Sequence, residues 1–270
     1  MNLRNGAYSW RIALLAALPP DLLARVRFLE WRESLPSTNE RLLELPAKRL
    51  DGGLALCLAR HQTAGRGRNR KRWRSPPDAG LLLSVARSCP RAPDGSLALA
   101  LGVSVARALE VFLDEKVALK WPNDLMAGAG KLGGLLVESR SQVQGGTRVV
   151  AGLGLNLHVT AEQRRAILED GGTAPVGLRE LGAGVVPELP QLAARIIASM
   201  SEALDRHPKE HFGPWIAGWR RRDWLAGRKI KARCGNETYR GRAAGVDSSG
   251  ALLLKGPDGE RRILSAEVRL

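Results

Sequence analysis

The stretch KLGGLLVESRSQVQGGTRVVAGLGLNLHV, residues 131–159, decides the fold that this sequence predicts. Its two apolar runs, 131–139 and 148–159, are rich in Leu and Val and have the length of strands. Between them lies SQVQGG, residues 141–146, a segment of turn-forming character. Two strands joined by so short a connection pair in an antiparallel arrangement.

Apolar segments on the N-terminal side of this hairpin extend the sheet. LALCLAR (54–60) and LLLSVAR (81–87) predict two more strands, and ALKW (118–121) predicts the start of another. Helices are predicted over 95–113, 188–206 and 210–224. Because these elements do not alternate with regular βαβ spacing, the sequence predicts an α+β fold with a mixed, mostly antiparallel sheet.

The character of the chain changes at Leu225. Short strand-like segments, separated by turns rich in Gly, Asp, Asn and Ser, fill the remaining stretch to residue 270. This pattern predicts a small SH3-like β-barrel, and hence two domains, residues 1–224 and 225–270. A domain this small is marginally stable alone, so we expect it to pack on the first.

Composition limits the classes of protein to which the chain can belong. No apolar run reaches the roughly 18 residues that a membrane span needs, so no membrane association is expected. The short apolar stretch 12–18 predicts an amphipathic segment that packs on the domain, since no clear cleavage site follows it. Three scattered cysteines show neither metal-ligand spacing nor a disulfide framework, which indicates a reduced, cytoplasmic setting.

The formal net charge of +15 indicates attraction to a polyanion: nucleic acid, a phosphorylated ligand or an acidic partner protein. An arginine-rich background spread over solvated faces explains such a charge equally well. The charge is not uniform, however. Between Arg60 and Arg74 the sequence has seven Arg or Lys and no Asp or Glu.

The segment HQTAGRGRNRKRW (61–73) carries most of this local charge. Gly65 and Gly67 allow close approach of the backbone to a ligand. Arg66 and Arg68 offer paired donors that suit carboxylate or phosphate. Because neighbouring arginines repel, we expect the empty loop to be mobile and a bound anion to order it. A solvated basic loop or an RNA-binding arm is the alternative.

The segment LKWPNDLMAGAGKLGGLLVES (119–139) carries a second set of polar residues. Lys120, Asn123 and Asp124 lie at the end of one predicted strand, and Lys131 lies at the entry of the next. Antiparallel return of the chain brings the Lys131 ammonium towards the same cleft. A surface ion pair between Lys120 and Asp124 is an equally good interpretation of those two residues alone.

Two further segments are open to more than one interpretation. PSTNE (36–40) by itself predicts a helix N-cap at Ser37 or Thr38, with Glu40 completing a capping box. In GLGLNLHV (152–159), Asn156 interrupts an apolar strand pattern. A buried Asn needs hydrogen-bond partners, which are either structural groups or a ligand.

The order of these segments resembles biotin protein ligases. The motifs that carry the resemblance are STNE (37–40), HQTAGRGR (61–68) with a following Trp, KWPNDL (120–125), KLGGLLVE (131–138) and GLGLN (152–156). The resemblance spans roughly residues 34–160 and resumes at GRAAGVDSSGALLL (241–254). It implies the α+β ligase fold that is shared with lipoate-attaching enzymes and related to class II aminoacyl-tRNA synthetases.

The resemblance also implies an activity. Biotin would react with ATP, in the presence of Mg²⁺, to give biotinyl-5′-AMP, and a lysine of a biotin carboxyl carrier protein would then accept the biotin. Biotin would be bound by Ser37, Thr38, Asn39, Gln62, Gly65, Arg66, Gly67, Arg68 and Lys131. The adenylate or ATP would be bound by Trp73, Lys120, Asn123 and Asn156. The catalytic residues would be Lys131, Arg66, Arg68 and Asp124; no metal ligand is identified.

Two departures from the family pattern bear on function. The loop of the family usually reads GRGR-x-G, but here Asn69 is followed by Arg70, so one flexible glycine is lost. Only about 33 residues precede the resemblance, too few for the winged helix-turn-helix domain that some relatives carry. We therefore expect no sequence-specific DNA binding. A lipoate or octanoate ligase or transferase of the same fold and a basic nucleic-acid-binding module remain alternatives, and a homo-oligomer remains open.

Overall fold

A computed structural model describes residues 3–50, 52–143, 145–181, 188–257 and 259–270, with side chains from residue 9 onward. Gln144, in the predicted turn of the central hairpin, lies outside the described residues. Within the described part of the chain, no helix is long and apolar enough to cross a membrane.

Seven strands form the main sheet, in the order β1-β2-β3-β7-β6-β5-β4. They are β1 Val26–Leu35, β2 Leu54–Gln62, β3 Gly80–Cys89, β4 Ala118–Lys120, β5 Asp124–Ala127, β6 Gly130–Ser141 and β7 Thr147–Asn156. β1 and β2 are parallel, and every other described pairing is antiparallel. The mixed, mostly antiparallel sheet predicted from the sequence is confirmed.

The β6–β7 hairpin lies near the centre of this sheet. Its register pairs Gly134 with Gly154 and Leu136 with Gly152. Strand β7 also pairs along its full length with β3, so both of its edges are hydrogen-bonded. This strand is almost wholly buried, which explains why its sequence is a continuous apolar run.

The helices are α1 Leu3–Ala17, α2 Pro20–Leu23, α3 Thr38–Leu43, α4 Leu97–Leu109, α5 Ala161–Glu169, α6 Leu189–Glu210 and α7 Gly213–Arg220. α4 is buried almost all round, and α6 packs against it. α1 packs along α6, as predicted for the apolar segment 12–18. The helix predicted over 210–224 is shorter than expected because α6 continues to Glu210 and a new helix begins beside Pro214, which suits a first helical turn.

The C-terminal domain contains five antiparallel strands in the order β11-β10-β9-β8-β12. They are β8 Lys229–Cys234, β9 Glu237–Val246, β10 Leu252–Gly256, β11 Gly259–Ile263 and β12 Glu267–Arg269. One hydrophobic core runs from the main sheet into this domain and includes Ile230 and Leu252. The Trp121 indole N–H donates to the Gly250 carbonyl at 3.0 Å. The small domain therefore packs on the large one beside the strand β4.

Candidate functional site

A cavity of about 640 Å³ lies beside strands β6 and β7. Its other walls come from the start of α3, the basic segment 66–74, the segment 120–124, the turn 171–175 and the chain end 266–270. Segments far apart in the sequence thus meet around one space, and they include residues of all five motifs between residues 37 and 156.

Ser37 caps helix α3 at the wall of this cavity. Its side-chain oxygen accepts a hydrogen bond from the Glu40 backbone N–H at 3.4 Å, so the predicted N-cap is confirmed. In the predicted capping box, the Glu40 side chain would bind the backbone N–H of Ser37, but here that side chain makes a different contact. The Glu40 carboxylate lies 3.6 Å from the guanidinium of Arg66.

Buried polar side chains form a network at this end of the cavity. The Thr38 N–H and hydroxyl both donate to Oε1 of Gln62, at 2.7 and 3.0 Å. The Ser84 hydroxyl lies 2.7 Å from Oγ1 of Thr38 and 2.6 Å from Oδ1 of Asn39. Nδ2 of Asn39 donates to the Glu138 carboxylate at 2.8 Å. Such a network fixes the orientation of its donors and acceptors.

Glycines on β6 and β7 make room for two of the cavity side chains. A Cβ at Gly152 would overlap Oδ1 of Asn39. A Cβ at Gly154 would lie 2.5 Å from Cε2 of the Trp73 ring, and one at Gly134 would lie 3.5 Å from Cζ3. The paired glycines therefore expose bare backbone, against which Trp73 packs. The Trp73 Nε1 is buried and has no hydrogen-bond partner among the described residues.

Lys131 is held in place by both its side chain and its backbone. Its Nζ lies 2.6 Å from Oδ1 of Asp124 and 5.5 Å from the centroid of the Trp73 ring. Its carbonyl accepts hydrogen bonds from Nδ2 of Asn156 and from the Val176 N–H, each at 3.0 Å. The amide of Asn156 therefore has a structural partner, although Asn156 also lines the cavity.

Lys120 and Asn123 complete the cavity wall next to Lys131. Lys120 is not the ion-pair partner of Asp124; its Nζ lies 5.5 Å from the Trp224 ring, and burial lowers the pKa of its ammonium. The Asn123 amide donates to the Leu135 carbonyl, and the Leu135 N–H donates back to the Asn123 carbonyl at 2.9 Å. Asn123 is thus anchored to β6.

The basic segment folds back on itself beside the cavity. The Gly67 N–H donates to the Lys71 carbonyl at 2.7 Å, and the Trp73 N–H donates to the Gly65 carbonyl at 2.9 Å. Arg68, at the cavity wall, donates to the Ser265 hydroxyl at 2.7 Å, and burial lowers the pKa of its guanidinium.

Acids from other parts of the chain pair with the cations of residues 60–74, although no Asp or Glu occurs within that stretch. The pairs are Arg60 with Glu33 and Asp78, Arg66 with Glu40, Lys71 with Glu267, and Arg74 with Asp170. Lys71, Arg233 and Arg269 together hold the pKa of Glu267 at about 2. Cationic side chains that the sequence leaves unpaired are therefore partly neutralised by the fold.

The cavity collects nearly all of the predicted site residues. Those that line it are Ser37, Thr38, Asn39, Gln62, Arg66, Gly67, Arg68, Trp73, Lys120, Asn123, Asp124, Lys131 and Asn156. Gly65 lies beside the cavity, where a Cβ would meet the Trp73 carbonyl at 3.0 Å. Among the described residues, no group of three or more His, Cys, Asp or Glu side chains is placed to hold a metal ion.

Comparison with known proteins identifies the family. Residues 31–156 match the model of the biotin/lipoate A/B protein ligase family, and residues 226–270 match that of the biotin protein ligase C-terminal domain. The biotin–[acetyl-CoA-carboxylase] ligase of Paracoccus denitrificans is 37% identical over 237 residues, which cover 86% of this chain and 96% of that protein. The chain belongs to the biotin protein ligase family.

Similarity to two other biotin protein ligases supports this assignment. The bifunctional ligase/repressor BirA of Escherichia coli is 32% identical over 223 residues, which cover 82% of this chain and 67% of that protein. The structure of the Aquifex aeolicus biotin protein ligase in complex with biotin and ATP superimposes with a TM-score of 0.74 at 26% identity. The match covers 89% of this chain and 98% of that one. The predicted α+β fold with a small C-terminal β domain is confirmed as the biotin protein ligase fold.

The basic segment of this biotin protein ligase contains two consecutive residues with a left-handed backbone conformation. Asn69 and Arg70 have φ values of 55° and 57°. Asn tolerates this left-handed conformation, whereas a long side chain such as that of Arg raises its energy by roughly 1 kcal/mol. The backbone at residue 70 therefore favours glycine, and Arg70 disfavours the folded-back loop.

Replacing Arg70 with Gly is expected to stabilise the loop by about 1 kcal/mol, roughly fivefold in the population of the folded-back form. Trypsin should then cleave the free variant about threefold to fivefold more slowly after Arg66, Arg68, Lys71 and Arg72, as followed by mass spectrometry. The control is Arg70→Ala, which removes the same charge but keeps a Cβ. Equal protection in both variants would show that charge, and not backbone strain, governs the loop.

Several residues of the site were not predicted from the sequence. Ser84 interrupts the apolar strand β3 just as Asn156 interrupts β7, and that pattern was available. Glu138 and Gly152 gave no such signal, because their roles depend on which strand faces Asn39. The acids that pair with the basic segment could not be predicted either. Glu267, for example, lies in the C-terminal domain.

Proposed function

We propose that this enzyme activates biotin with ATP to give biotinyl-5′-AMP and then transfers the biotin to a lysine of a biotin carboxyl carrier protein. The observation that carries the proposal is the layout of one cavity. It has a network of mainly uncharged hydrogen-bonding side chains around the start of α3, a glycine patch against which Trp73 packs, and the cationic side chains of Lys131, Arg66 and Arg68 in its walls.

The polar side chains around the start of α3 suit the ureido group of biotin. That group has two N–H donors and one carbonyl acceptor, all uncharged. Ser37, Thr38, Asn39 and Gln62 offer matching polar atoms and are already fixed by one another and by Ser84. A ligand that replaces water here without leaving a buried polar group unpaired retains the full value of each hydrogen bond.

The glycine patch and Trp73 suit the apolar rings of biotin, and the cationic side chains of the cavity suit its carboxylate beside ATP. In the first step, a carboxylate oxygen forms a bond to the α-phosphorus while the bond from that phosphorus to pyrophosphate breaks. Negative charge grows on the transferred phosphoryl oxygens and on the leaving group. We assign Lys131, Arg66 and Arg68 to stabilise that charge.

The adenine-nucleotide part of the ligand would lie along the wall formed by Trp73, Lys120, Asn123 and Asn156. Mg²⁺ is expected to enter as the MgATP complex and to neutralise phosphate charge there. Asp124 is the cavity carboxylate nearest to Lys131, and as a hard oxygen ligand it is chemically suited to such an ion.

In the second step, the ε-amine of the acceptor lysine attacks the acyl carbon, and AMP leaves. An ordinary lysine, with a pKa of about 10.4, is protonated at neutral pH and must first lose a proton. We assign Asp124 to accept a hydrogen bond from the acceptor ammonium and to take up the proton that the ammonium loses before attack. The acceptor is a carrier domain of a biotin-dependent carboxylase, and the cytoplasm, where ATP and reduced thiols coexist, is the proposed location.

The reaction itself is the first test. The protein, incubated with biotin and MgATP without acceptor, should release pyrophosphate and retain biotinyl-5′-AMP, detected by mass spectrometry of the bound ligand. Addition of a biotin carboxyl carrier domain should then increase the mass of that domain by one biotinyl group. Parallel reactions with lipoate and octanoate serve as the specificity control, and activation of either in place of biotin would contradict the proposal.

A further inference from the structure

The outer face of the C-terminal sheet carries rows of like charge that the proposed chemistry does not use. Side chains that face each other across neighbouring strands lie on the same side of a sheet. Two such rows are cationic over three neighbouring strands: Lys229–Arg242–Lys255 on strands β8, β9 and β10, and Arg269–Lys231–Arg240 on β12, β8 and β9. Glu260 on β11 faces Lys255 at the end of the first row. All six cationic side chains are exposed.

Like charges directly opposite each other destabilise a sheet. Within the described part of the chain, Lys255 approaches Glu260 at 3.9 Å and Arg269 pairs with Glu267. Lys229, Lys231, Arg240 and Arg242 have no carboxylate within 4.0 Å there. These four cations therefore repel one another, and a bound anionic surface would reduce that repulsion.

This basic face is continuous with the reaction cavity. A groove of about 520 Å³ runs along it, lined by Lys229, Ile230, Lys231, Arg240, Gly241, Arg242, Lys255, Gly256, Pro257 and Leu270. Leu270 also lines the reaction cavity, as do Arg228 and Arg269. A macromolecule that places one side chain in the cavity would extend over this groove.

We infer that the basic face of the C-terminal sheet, residues Lys229, Lys231, Arg240, Arg242 and Lys255, docks an acidic surface of the acceptor protein. The inference rests on the proposed function, which requires a folded protein to present a lysine at the cavity. Complementary charge accelerates encounter and sets orientation without needing a large buried area. The net charge of +15 adds long-range attraction for the same acidic partner.

The groove is a poorer match for single-stranded nucleic acid. Proteins that bind such strands stack bases on aromatic rings placed among the basic residues. None of the described residues that line the groove is aromatic. The nearby ring of Tyr239 is covered by the guanidinium of Arg261, at 4.3 Å from the ring centroid. The observations therefore favour a protein partner.

The test is the triple variant Lys229→Glu/Lys231→Glu/Arg240→Glu in the full chain. With the carrier domain of an acetyl-CoA carboxylase as acceptor, KM for that domain should rise at least about tenfold while kcat changes little. Adding salt should lower kcat/KM for the wild type but not for the variant. Release of pyrophosphate with biotin and MgATP should stay within twofold of wild type, and so should biotinyl transfer to hydroxylamine, a nucleophile too small to dock.

The matched control is Lys48→Glu/Arg49→Glu/Lys209→Glu, which changes the net charge equally at exposed positions outside both cavities. If KM rose equally in the control, the change in net charge alone would explain the effect, and the inference would be overturned. An unchanged KM in the triple variant would also overturn the inference. That holds equally if the variant loses salt-dependent binding of a labelled DNA duplex, because the face would then bind nucleic acid and not the acceptor. If the wild type formed no biotinyl-5′-AMP at all, the proposed function would be wrong. That outcome is distinct from a failure of the docking inference, which is measured by KM for the carrier domain.

Discussion

Replacement of Lys131 with Ala is expected to slow the formation of biotinyl-5′-AMP by about a hundredfold, equivalent to ~3 kcal/mol of transition-state stabilisation. The Lys131 ammonium is held over the glycine patch by Asp124 and lies beside Trp73. It is therefore oriented before substrates arrive, and its charge would meet the phosphoryl oxygens as they become more negative. Pyrophosphate release at saturating biotin and MgATP measures the loss.

Fold stability should change far less than the rate. The Lys131 side chain is one-quarter exposed, and a partly solvated ion pair contributes on the order of 1 kcal/mol or less. The matched control is Lys116→Ala, which removes an exposed lysine just before strand β4. A Lys131→Ala enzyme within threefold of the wild-type rate, with Lys116→Ala also unchanged, would remove Lys131 from the chemistry.

Local patterns were sufficient to predict the parts of the fold in which neighbours in sequence are neighbours in space. The β6–β7 hairpin followed from two apolar runs and a turn, and the C-terminal strands followed from closely spaced turn residues. Strand β1 was missed because it is an edge strand, with several charged side chains in solvent. Its stability comes from parallel pairing with β2, which no local pattern reveals.

The same distinction applies to the site. The order of the motifs was sufficient to predict that the cavity residues share one site, because resemblance to a family implies the fold of that family. Site residues outside the motifs were not predicted, including Ser84, which interrupts an apolar strand pattern. The acid partners of the basic segment illustrate the limit, since Asp170 and Glu267 lie about 100 and 200 residues from the cations that they contact. Only the folded chain shows that Arg74 and Lys71 are neutralised.

The second large effect is expected from a substitution at Gly152, a glycine of strand β7 that lines the cavity. Gly152 does not have a positive φ, so Ala fits its backbone, but the added Cβ would overlap Oδ1 of Asn39. Asn39 has little freedom to move away because hydrogen bonds to Ser84, the Leu136 carbonyl and Glu138 hold it. Either the network breaks or strand β7 shifts.

Each outcome disturbs the end of the cavity assigned to the ureido group. Breaking one buried hydrogen bond, or accommodating one extra methyl group, costs ~1–3 kcal/mol. For Gly152→Ala we therefore expect KM for biotin to rise roughly tenfold to a hundredfold, with KM for ATP nearly unchanged. Gly213→Ala, at a position with open space around the added Cβ, is the matched control and should be silent. In an Asn39→Ala background the clash is gone, so Gly152→Ala should add little. Full additivity of the two substitutions, or a biotin KM within twofold of wild type for Gly152→Ala alone, would show that the contact between Gly152 and Asn39 does not shape the biotin site.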